Sequence, residues 1–189
     1  MTTQVRSRPR ERLLDAAATL AYRDGVSVGV EALCKAAGVS KRSMYQLFGS
    51  KDGLLAASLE RRAADFPVRF LPGPDDERSA RERILYVFER VESQAALPEY
   101  LGCPYLAVQI ELKDEGHPAS RVARRVKENL MAFFRSEAAR GGANDPDLLA
   151  RQLTLVFDGA SARAGIKVDD LSGLVAPTLN ALLDAAGLC

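Results

Sequence analysis

The sequence has no tryptophan, a single histidine and three cysteines, and it contains no long apolar run. No segment reaches the ~18 uninterrupted apolar residues that a membrane-spanning helix needs, so we expect no contact with a membrane. The basic N-terminus lacks the apolar stretch that would make it a secretory signal. Cys34, Cys103 and Cys189 are widely spaced and form no CxxC pair. Neither a disulfide framework nor a zinc site is therefore expected, and reduced thiols in a cytoplasmic protein are predicted.

The shortage of histidine also argues against an enzyme. His117 stands beside Pro118 ahead of a predicted helix, where a capping or surface role is expected rather than catalysis or metal binding. No Ser-His-Asp or Cys-His set can be assembled without it. Gly141-Gly142 follows a predicted helix and lacks the rest of a phosphate-binding loop. We expect a protein that is not an enzyme and that needs neither a cofactor nor a metal.

What the chain does contain is an uneven distribution of charge. Residues 1–62 hold 11 Lys and Arg against 6 Asp and Glu, whereas the remainder holds 15 against 19. The net charge of +1 therefore conceals two parts of opposite sign. A basic N-terminal third on an acidic remainder fits contact with nucleic acid at one end only.

The segment 31–51, EALCKAAGVSKRSMYQLFGSK, predicts two short helices joined by a tight turn. Gly38 tolerates the positive φ that ends the first helix. Ser40 can accept a hydrogen bond from a free N–H at the start of the second helix, over residues 41–48. A helix before this pair, over residues 9–23, completes a predicted three-helix unit.

The second helix of the pair has two unlike faces. Its apolar residues recur at helical spacing, so Met44, Leu47 and Phe48 are expected to be buried. Its outer face carries two cations, a hydroxyl, a phenol and an amide, from Lys41, Arg42, Ser43, Tyr45 and Gln46. A solvated surface helix would more often carry Glu–Lys pairs. Such groups donate to phosphates and pair with base edges, so the pattern predicts a DNA-binding helix-turn-helix with residues 41–48 as its recognition helix.

Residues 1–8 are predicted to form an arm without regular structure. Arginine is frequent in this arm and just after it, at Arg6, Arg8, Arg10 and Arg12. Two interpretations stay open: a solvated run of charge, or contact with phosphates or the minor groove beside the recognition helix.

Six further helices are predicted, separated by loops that contain proline and glycine. They are expected over residues 51–65, 76–96, 103–113, 119–140, 145–167 and 171–186. Pro67 is expected to limit the first of these. Pro177 leaves open whether the last is kinked or starts later. The fold class is all-α, with a helix-turn-helix domain over residues 1–50 and a helical regulatory and dimerisation domain over residues 51–189.

The run AAGVSKRSMYQLFGSKDGLL resembles the tetracycline-repressor (TetR) family of one-component bacterial regulators. The residues that match the family pattern are Gly38, Val39, Ser40, Tyr45, Phe48 and Lys51. Cys34 departs from it, because the family usually has alanine there. The specific motif covers about the first third of the chain, and beyond Leu55 the likeness is to a general pattern of amphipathic helices.

The resemblance implies a ligand-responsive repressor, released from a palindromic operator by a small hydrophobic inducer. The residues expected to contact double-stranded DNA are Ser40, Lys41, Arg42, Ser43, Tyr45, Gln46 and Lys51. Arg42, Ser43 and Gln46 are assigned to base edges. Lys41, Tyr45 and Lys51 are assigned to phosphates.

The resemblance also implies a ligand pocket and a homodimer. Candidate ligand contacts are Phe88, Tyr105, Gln109, Phe134 and Phe157, although aromatic residues at such positions more often belong to the core. The dimer is expected to form through the predicted helices 145–167 and 171–186, where Gly159 and Ala162 leave a surface of small residues.

Two alternatives remain open at this point. The chain could be a helical ligand-binding or enzymatic protein whose basic face is incidental, or a regulator that responds to no small molecule. Salt-dependent retention on DNA would distinguish a DNA-binding regulator from the first alternative, because phosphate contacts release counterions.

Overall fold

The computed structural model describes residues 8–168 and 170–188, and no strand occurs among them. The helices are α1 (Pro9–Asp24), α2 (Val30–Ala37), α3 (Lys41–Phe48), α4 (Lys51–Phe70), α5 (Ala80–Ala95), α6 (Pro104–Leu112), α7 (Pro118–Arg140), α8 (Pro146–Gly165) and α9 (Val175–Ala185). None of these described helices is long and apolar enough to cross a membrane. The all-α prediction is confirmed. The predicted arm, apart from Arg8, lies outside the described residues.

The chain divides into two compact units. The first consists of the described part of Met1–Ala64 together with Ala107–Arg124, and the second of Asp65–Leu106 with the described part of Arg125–Cys189. The division therefore falls within α4, α6 and α7. This division reflects which residues pack together. The predicted functional boundary between residues 50 and 51 stays a prediction.

In the first unit, α1, α2 and α3 pack on one another around a small apolar core. The buried side chains of this core include Leu13, Leu14, Ala17, Leu33, Cys34, Ala37, Met44 and Leu54. α2 and α3 have eight residues each and are too short to be stable alone, so burial of these apolar faces holds the three helices together. The predicted three-helix arrangement is present, and Leu54 of α4 closes it.

In the second unit, aromatic rings from several helices meet in one cluster. The rings of Phe88 on α5 and Phe134 on α7 stack with centroids 5.7 Å apart. Phe157 on α8 meets Phe88 edge-on at 6.3 Å and Phe66 on α4 at 6.4 Å. Edge-on and offset contacts of this kind are the favoured arrangements of aromatic pairs. This aromatic cluster is the centre of the second unit's core, alongside the contacts among α5, α8 and α9.

α4 continues through Pro67 to Phe70, so the prediction that Pro67 limits this helix is wrong. Proline removes one helical donor, but the N–H of Leu71 still donates to the carbonyl of Pro67 at 2.8 Å. The rings of Phe66 and Phe70 on this last stretch pack against Phe157, with centroids 6.4 and 6.2 Å away. Packing of these two rings offsets the lost hydrogen bond.

Two other helices begin later than the periodicity suggested. α5 begins at Ala80, because Ser79 and Glu82 form a capping box in which each side chain accepts the other's backbone N–H. α9 begins at Val175, which places Pro177 in the first turn, where its missing N–H would have no helical partner. The open question about Pro177 is therefore resolved in favour of a later start.

Candidate nucleic-acid interface

The turn between α2 and α3 forms as the sequence predicts. Gly38 adopts φ 61° and ψ 42°, in the left-handed region, and the N–H of Val39 donates to the carbonyl of Cys34 at 3.0 Å. The Ser40 hydroxyl then accepts the N–H of Ser43 at 3.1 Å and caps α3. Local chemistry thus sets where α3 begins.

Arg12 supports this turn from α1, a role that sequence reasoning did not assign to it. Its Nε donates to the carbonyl of Ala37 at 2.8 Å, and its Nη2 donates to that of Gly38 at 3.2 Å. Carbonyls at a helix C-terminus lack helical donors, so this guanidinium satisfies acceptors that the fold leaves open. Arg12 therefore contributes to the turn itself.

The other N-terminal arginines have different surroundings. The guanidinium carbon of Arg10 lies 5.6 Å from the ring centroid of Phe48. Arg8 stands immediately before α1, and Arg6 lies outside the described residues. The two interpretations of the arm stay as stated above.

The outer face of α3 is open to solvent. Lys41, Arg42, Tyr45 and Gln46 are all exposed. Lys41 has its Nζ 3.4 Å from a carboxylate oxygen of Glu31, in an exposed ion pair of the kind that contributes little stability. Arg42, Tyr45 and Gln46 form no side-chain hydrogen bond or ion pair with any described residue. Their donors and acceptors are therefore available to a partner.

Ser43 lies differently from its neighbours. It is half-buried, and its hydroxyl lies 2.9 Å from that of Ser40. The two hydroxyl groups thus form a hydrogen bond with each other within the cap. Ser43 remains a predicted base contact, but one whose hydroxyl already has a partner.

Leu47 is the one residue of α3 whose predicted burial is wrong. Its exposed fraction is 44%, whereas Met44 is fully buried and Phe48 is half-buried. Met44 and Phe48 are four residues apart, and Phe48 packs against the core to which Met44 belongs. Leu47 falls at the edge of the outer face, where an apolar side chain can contact a thymine methyl group.

Lys51 opens α4 and has an internal partner. Its Nζ donates to the backbone carbonyl of Val26 at 3.0 Å, and the side chain is half-buried. An ammonium has three donors, so this bond leaves others for a phosphate. The predicted phosphate contact thus also holds the corner between α1 and α2.

The five candidate ligand contacts do not all lie in one unit. Phe88, Tyr105, Phe134 and Phe157 are buried in the second unit, where Tyr105 joins the aromatic cluster through Phe66, with ring centroids 5.9 Å apart. Gln109 is half-buried and lies on the part of α6 that belongs to the first unit. The structure therefore brings the four rings into one core and assigns the amide to a different unit.

A charged pair beside the aromatic cluster escaped sequence reasoning. Lys127 on α7 donates to the carboxylate of Asp158 on α8, and the two side chains are only 13% and 25% exposed. The Nζ of Lys127 also lies 4.7 Å from the ring centroid of Phe157. Lys127 follows the buried Ala123 by four residues, so a lysine on an otherwise apolar stripe was the available signal.

The single histidine caps a helix, as predicted. The Nδ1 of His117 accepts the N–H of Ala119 at 3.1 Å in the first turn of α7. Its Nε2 lies 3.3 Å from the carboxylate of Asp52 on α4. Cys34 and Cys103 are free and buried, and burial raises the pKa of both thiols.

Known proteins resemble both the helix-turn-helix and the whole chain. The family model for bacterial regulatory proteins of the tetR family matches residues 13–58. A solved structure described as a tetr-transcriptional regulator from Streptomyces avermitilis is 74% identical, with a TM-score of 0.95, over 97% of this chain and 100% of that chain. SCO4454, a TetR-family transcriptional regulator from Streptomyces coelicolor, shares the fold at 24% identity and a TM-score of 0.84, over 94% of this chain and 95% of that chain.

Among curated proteins, the HTH-type transcriptional regulator YjdC of Escherichia coli is 25% identical over 89 residues. That match covers 47% of this chain and 47% of YjdC, so the chain spans about half the length of the curated relatives it matches.

Proposed function

Because the chain belongs to the tetR family of bacterial regulatory proteins, we propose that it is a repressor that a small hydrophobic ligand releases from a palindromic operator. The observation that carries this proposal is the outer face of α3. Arg42, Tyr45 and Gln46 are exposed there and have no partner among the described residues. DNA supplies the acceptors and donors that such a face lacks.

The roles on α3 divide by chemistry. Arg42 can pair bidentately with guanine, and Gln46 with adenine, so these two residues contact base edges in the major groove. Tyr45, Lys41 and Lys51 contact phosphates, which position the helix without specifying sequence. Leu47 adds an apolar contact at the edge of the same face.

A homodimer is needed because one short helix makes too few contacts for a specific site. Two recognition helices must lie about 34–36 Å apart to enter successive major grooves. α8 supports an interface, since exposed small or apolar residues follow one helical stripe along it, at Leu148, Leu155, Gly159, Ala162 and Ile166. α9 adds exposed positions at Leu174, Ala181 and Ala185. The subunits associate through these two helices.

The ligand contacts are proposed within the second unit's aromatic cluster, at Phe88, Tyr105, Phe134 and Phe157, whereas Gln109, on the first unit's part of α6, stays a separate prediction. α4, α6 and α7 each continue from one compact unit into the other, so a displacement of any of them reaches the DNA-binding helices. The ligand must bind the DNA-incompetent state more tightly, because equal affinity for both states shifts nothing. Operator DNA must then weaken ligand binding by the same factor.

One observation favours a second candidate, a regulator without a small-molecule ligand. Phe88, Tyr105, Phe134 and Phe157 are at most 2% exposed, and the ring of Phe88 contacts those of both Phe134 and Phe157. Such packing is also what a filled core shows. A thermal-shift screen separates the candidates, since an inducer must both raise the melting temperature and release operator DNA.

The test of the function is selection from a randomised duplex library. The purified protein is expected to enrich a palindrome and to bind it at least ~10³-fold more tightly than scrambled DNA. Binding should weaken steeply as salt rises. Weak binding without sequence preference would favour a helical protein with an incidental basic face.

A further inference from the structure

Side chains from two distant elements hold the corner between α1 and α2. Val26 in this corner is only 8% exposed. Its backbone N–H donates to a carboxylate oxygen of Glu111 at 2.7 Å, and its carbonyl accepts from the Nζ of Lys51 at 3.0 Å. Both backbone polar groups of one buried residue are therefore satisfied by charged side chains, one at the end of α6 and the other at the start of α4.

Gly25 provides the space for this arrangement. Its φ of 87° lies in the region that side chains seldom adopt. A Cβ built at Gly25 would lie 2.7 Å from the nearer carboxylate oxygen of Glu111. The corner thus accommodates a carboxylate that comes from 85 positions along the chain.

A second contact joins the same two parts of the chain. The Nε2 of His117 lies 3.3 Å from Asp52, the residue that follows Lys51 in α4. The packing agrees with these contacts, because Ala107–Arg124 belongs to the same compact unit as α1, α2 and α3. The end of α6 and the start of α7 are therefore part of the body that carries the DNA-binding face.

We propose that Glu111 is a positioning residue for DNA binding. It fixes the α1–α2 corner through Val26, and α3 packs against both helices that meet there. Base contacts of the bidentate kind require placement within about half an ångström, so a loosened corner lowers operator affinity without removing any contact to DNA. This inference rests on the proposed DNA-binding function.

The test compares three variants on the selected operator. Glu111→Ala removes the acceptor of a buried N–H and is expected to lower operator affinity by about tenfold or more. Glu111→Gln keeps an acceptor oxygen and is expected to retain most of the affinity. Glu115→Ala is the matched control, since Glu115 lies in the same segment and pairs with Arg124. As a surface substitution, it should change affinity by no more than about twofold.

Two further measurements distinguish positioning from other roles. The slope of log affinity against log salt should be the same in Glu111→Ala as in the wild type, because no phosphate contact is lost. The Val26 amide should exchange its hydrogen faster in Glu111→Ala than in the wild type or in Glu115→Ala. If Glu111→Ala does not fold, Glu111→Asp replaces it, because the shorter side chain withdraws the carboxylate and keeps the charge.

Equal operator affinities for Glu111→Ala and Glu115→Ala would overturn the inference, and so would a changed salt slope. If Glu111→Asp is the variant used, operator affinity equal to that of Glu115→Ala would overturn it likewise. A wild-type protein that does not prefer its selected operator over scrambled DNA would overturn the proposed function instead. The exchange rate of the Val26 amide would still report the Glu111 contact in that case.

Discussion

The outer face of α3 and the interior of the second unit differ in whether their charged groups are exposed and whether they are paired. On α3, Arg42 is exposed and has no partner among the described residues. In the second unit, the carboxylate of Glu137 is 8% exposed and lies between two guanidinium groups, 2.9 Å from Arg83 and 2.6 Å from Arg140. The Arg42 charge makes no contact within the described fold, whereas the Glu137 charge is enclosed and neutralised by it.

This difference indicates which charges the fold uses and which it leaves for a partner. Arg83 also donates to two carbonyls of the loop before α5, so the guanidinium that neutralises Glu137 anchors that loop as well. In the same loop, hydrogen bonding to the Arg78 guanidinium lowers the pKa of the Asp76 carboxyl to about 2. Substitutions of enclosed charges in the second unit should therefore change stability first, and substitutions on the outer face of α3 should change DNA binding first.

The largest effect is expected from a substitution that removes the dimer. Ala162→Arg places a charge on the exposed stripe of α8 and is expected to give monomers that lose operator binding altogether. Sedimentation velocity and fluorescence anisotropy on the operator measure the two effects. Ala139→Arg, an exposed alanine near the end of α7, is the control and should stay dimeric. A dimeric Ala162→Arg would argue that the interface lies elsewhere.

The next effect concerns the enclosed charge. Glu137→Ala leaves two guanidinium groups without their carboxylate, and removing one partner of a buried ion pair typically costs about 3–5 kcal/mol. We expect the free energy of unfolding to fall by an amount in this range, measured by urea denaturation. Glu115→Ala again serves as the control, with a change within about 0.5 kcal/mol. Equal midpoints for the two variants would show that the Glu137 charge is not needed by the fold.

A smaller effect is expected at Lys51, which forms a hydrogen bond within the fold and is also proposed to contact a phosphate. Lys51→Ala should weaken binding to both operator and scrambled DNA and flatten the salt slope by about one unit, because one phosphate contact is lost, and the loosened α1–α2 corner should add a further loss on the operator. It should also speed hydrogen exchange in the α1–α2 corner, since the Val26 carbonyl loses its donor. Affinity lost on the operator alone, at an unchanged slope, would mean that Lys51 acts only through that corner.

The sequence predicted those features that depend on neighbours along the chain. The family resemblance is confirmed, and α3 begins and ends where the pattern placed the predicted recognition helix, with Gly38 and Ser40 setting its start locally. Features set by distant contacts were missed. No residue close to Val26 in the sequence indicates that its N–H will bond to Glu111. Likewise, packing of aromatic rings around Phe157 stabilises α4 beyond Pro67, which the local sequence does not indicate. Turns and caps can be predicted from neighbouring residues, whereas some helix ends and the buried charge pairs depend on packing between distant residues.

The most direct test of the account is the sequence preference of Arg42→Ala, measured together with its stability. We expect operator affinity to fall by ~1–3 kcal/mol and the preference at one position of each half-site to relax. The free energy of unfolding should stay within about 0.5 kcal/mol of the wild type, because the side chain has no partner in the described structure. Equal losses on operator and scrambled DNA, or a destabilised fold, would contradict the claim that this face is reserved for base contacts.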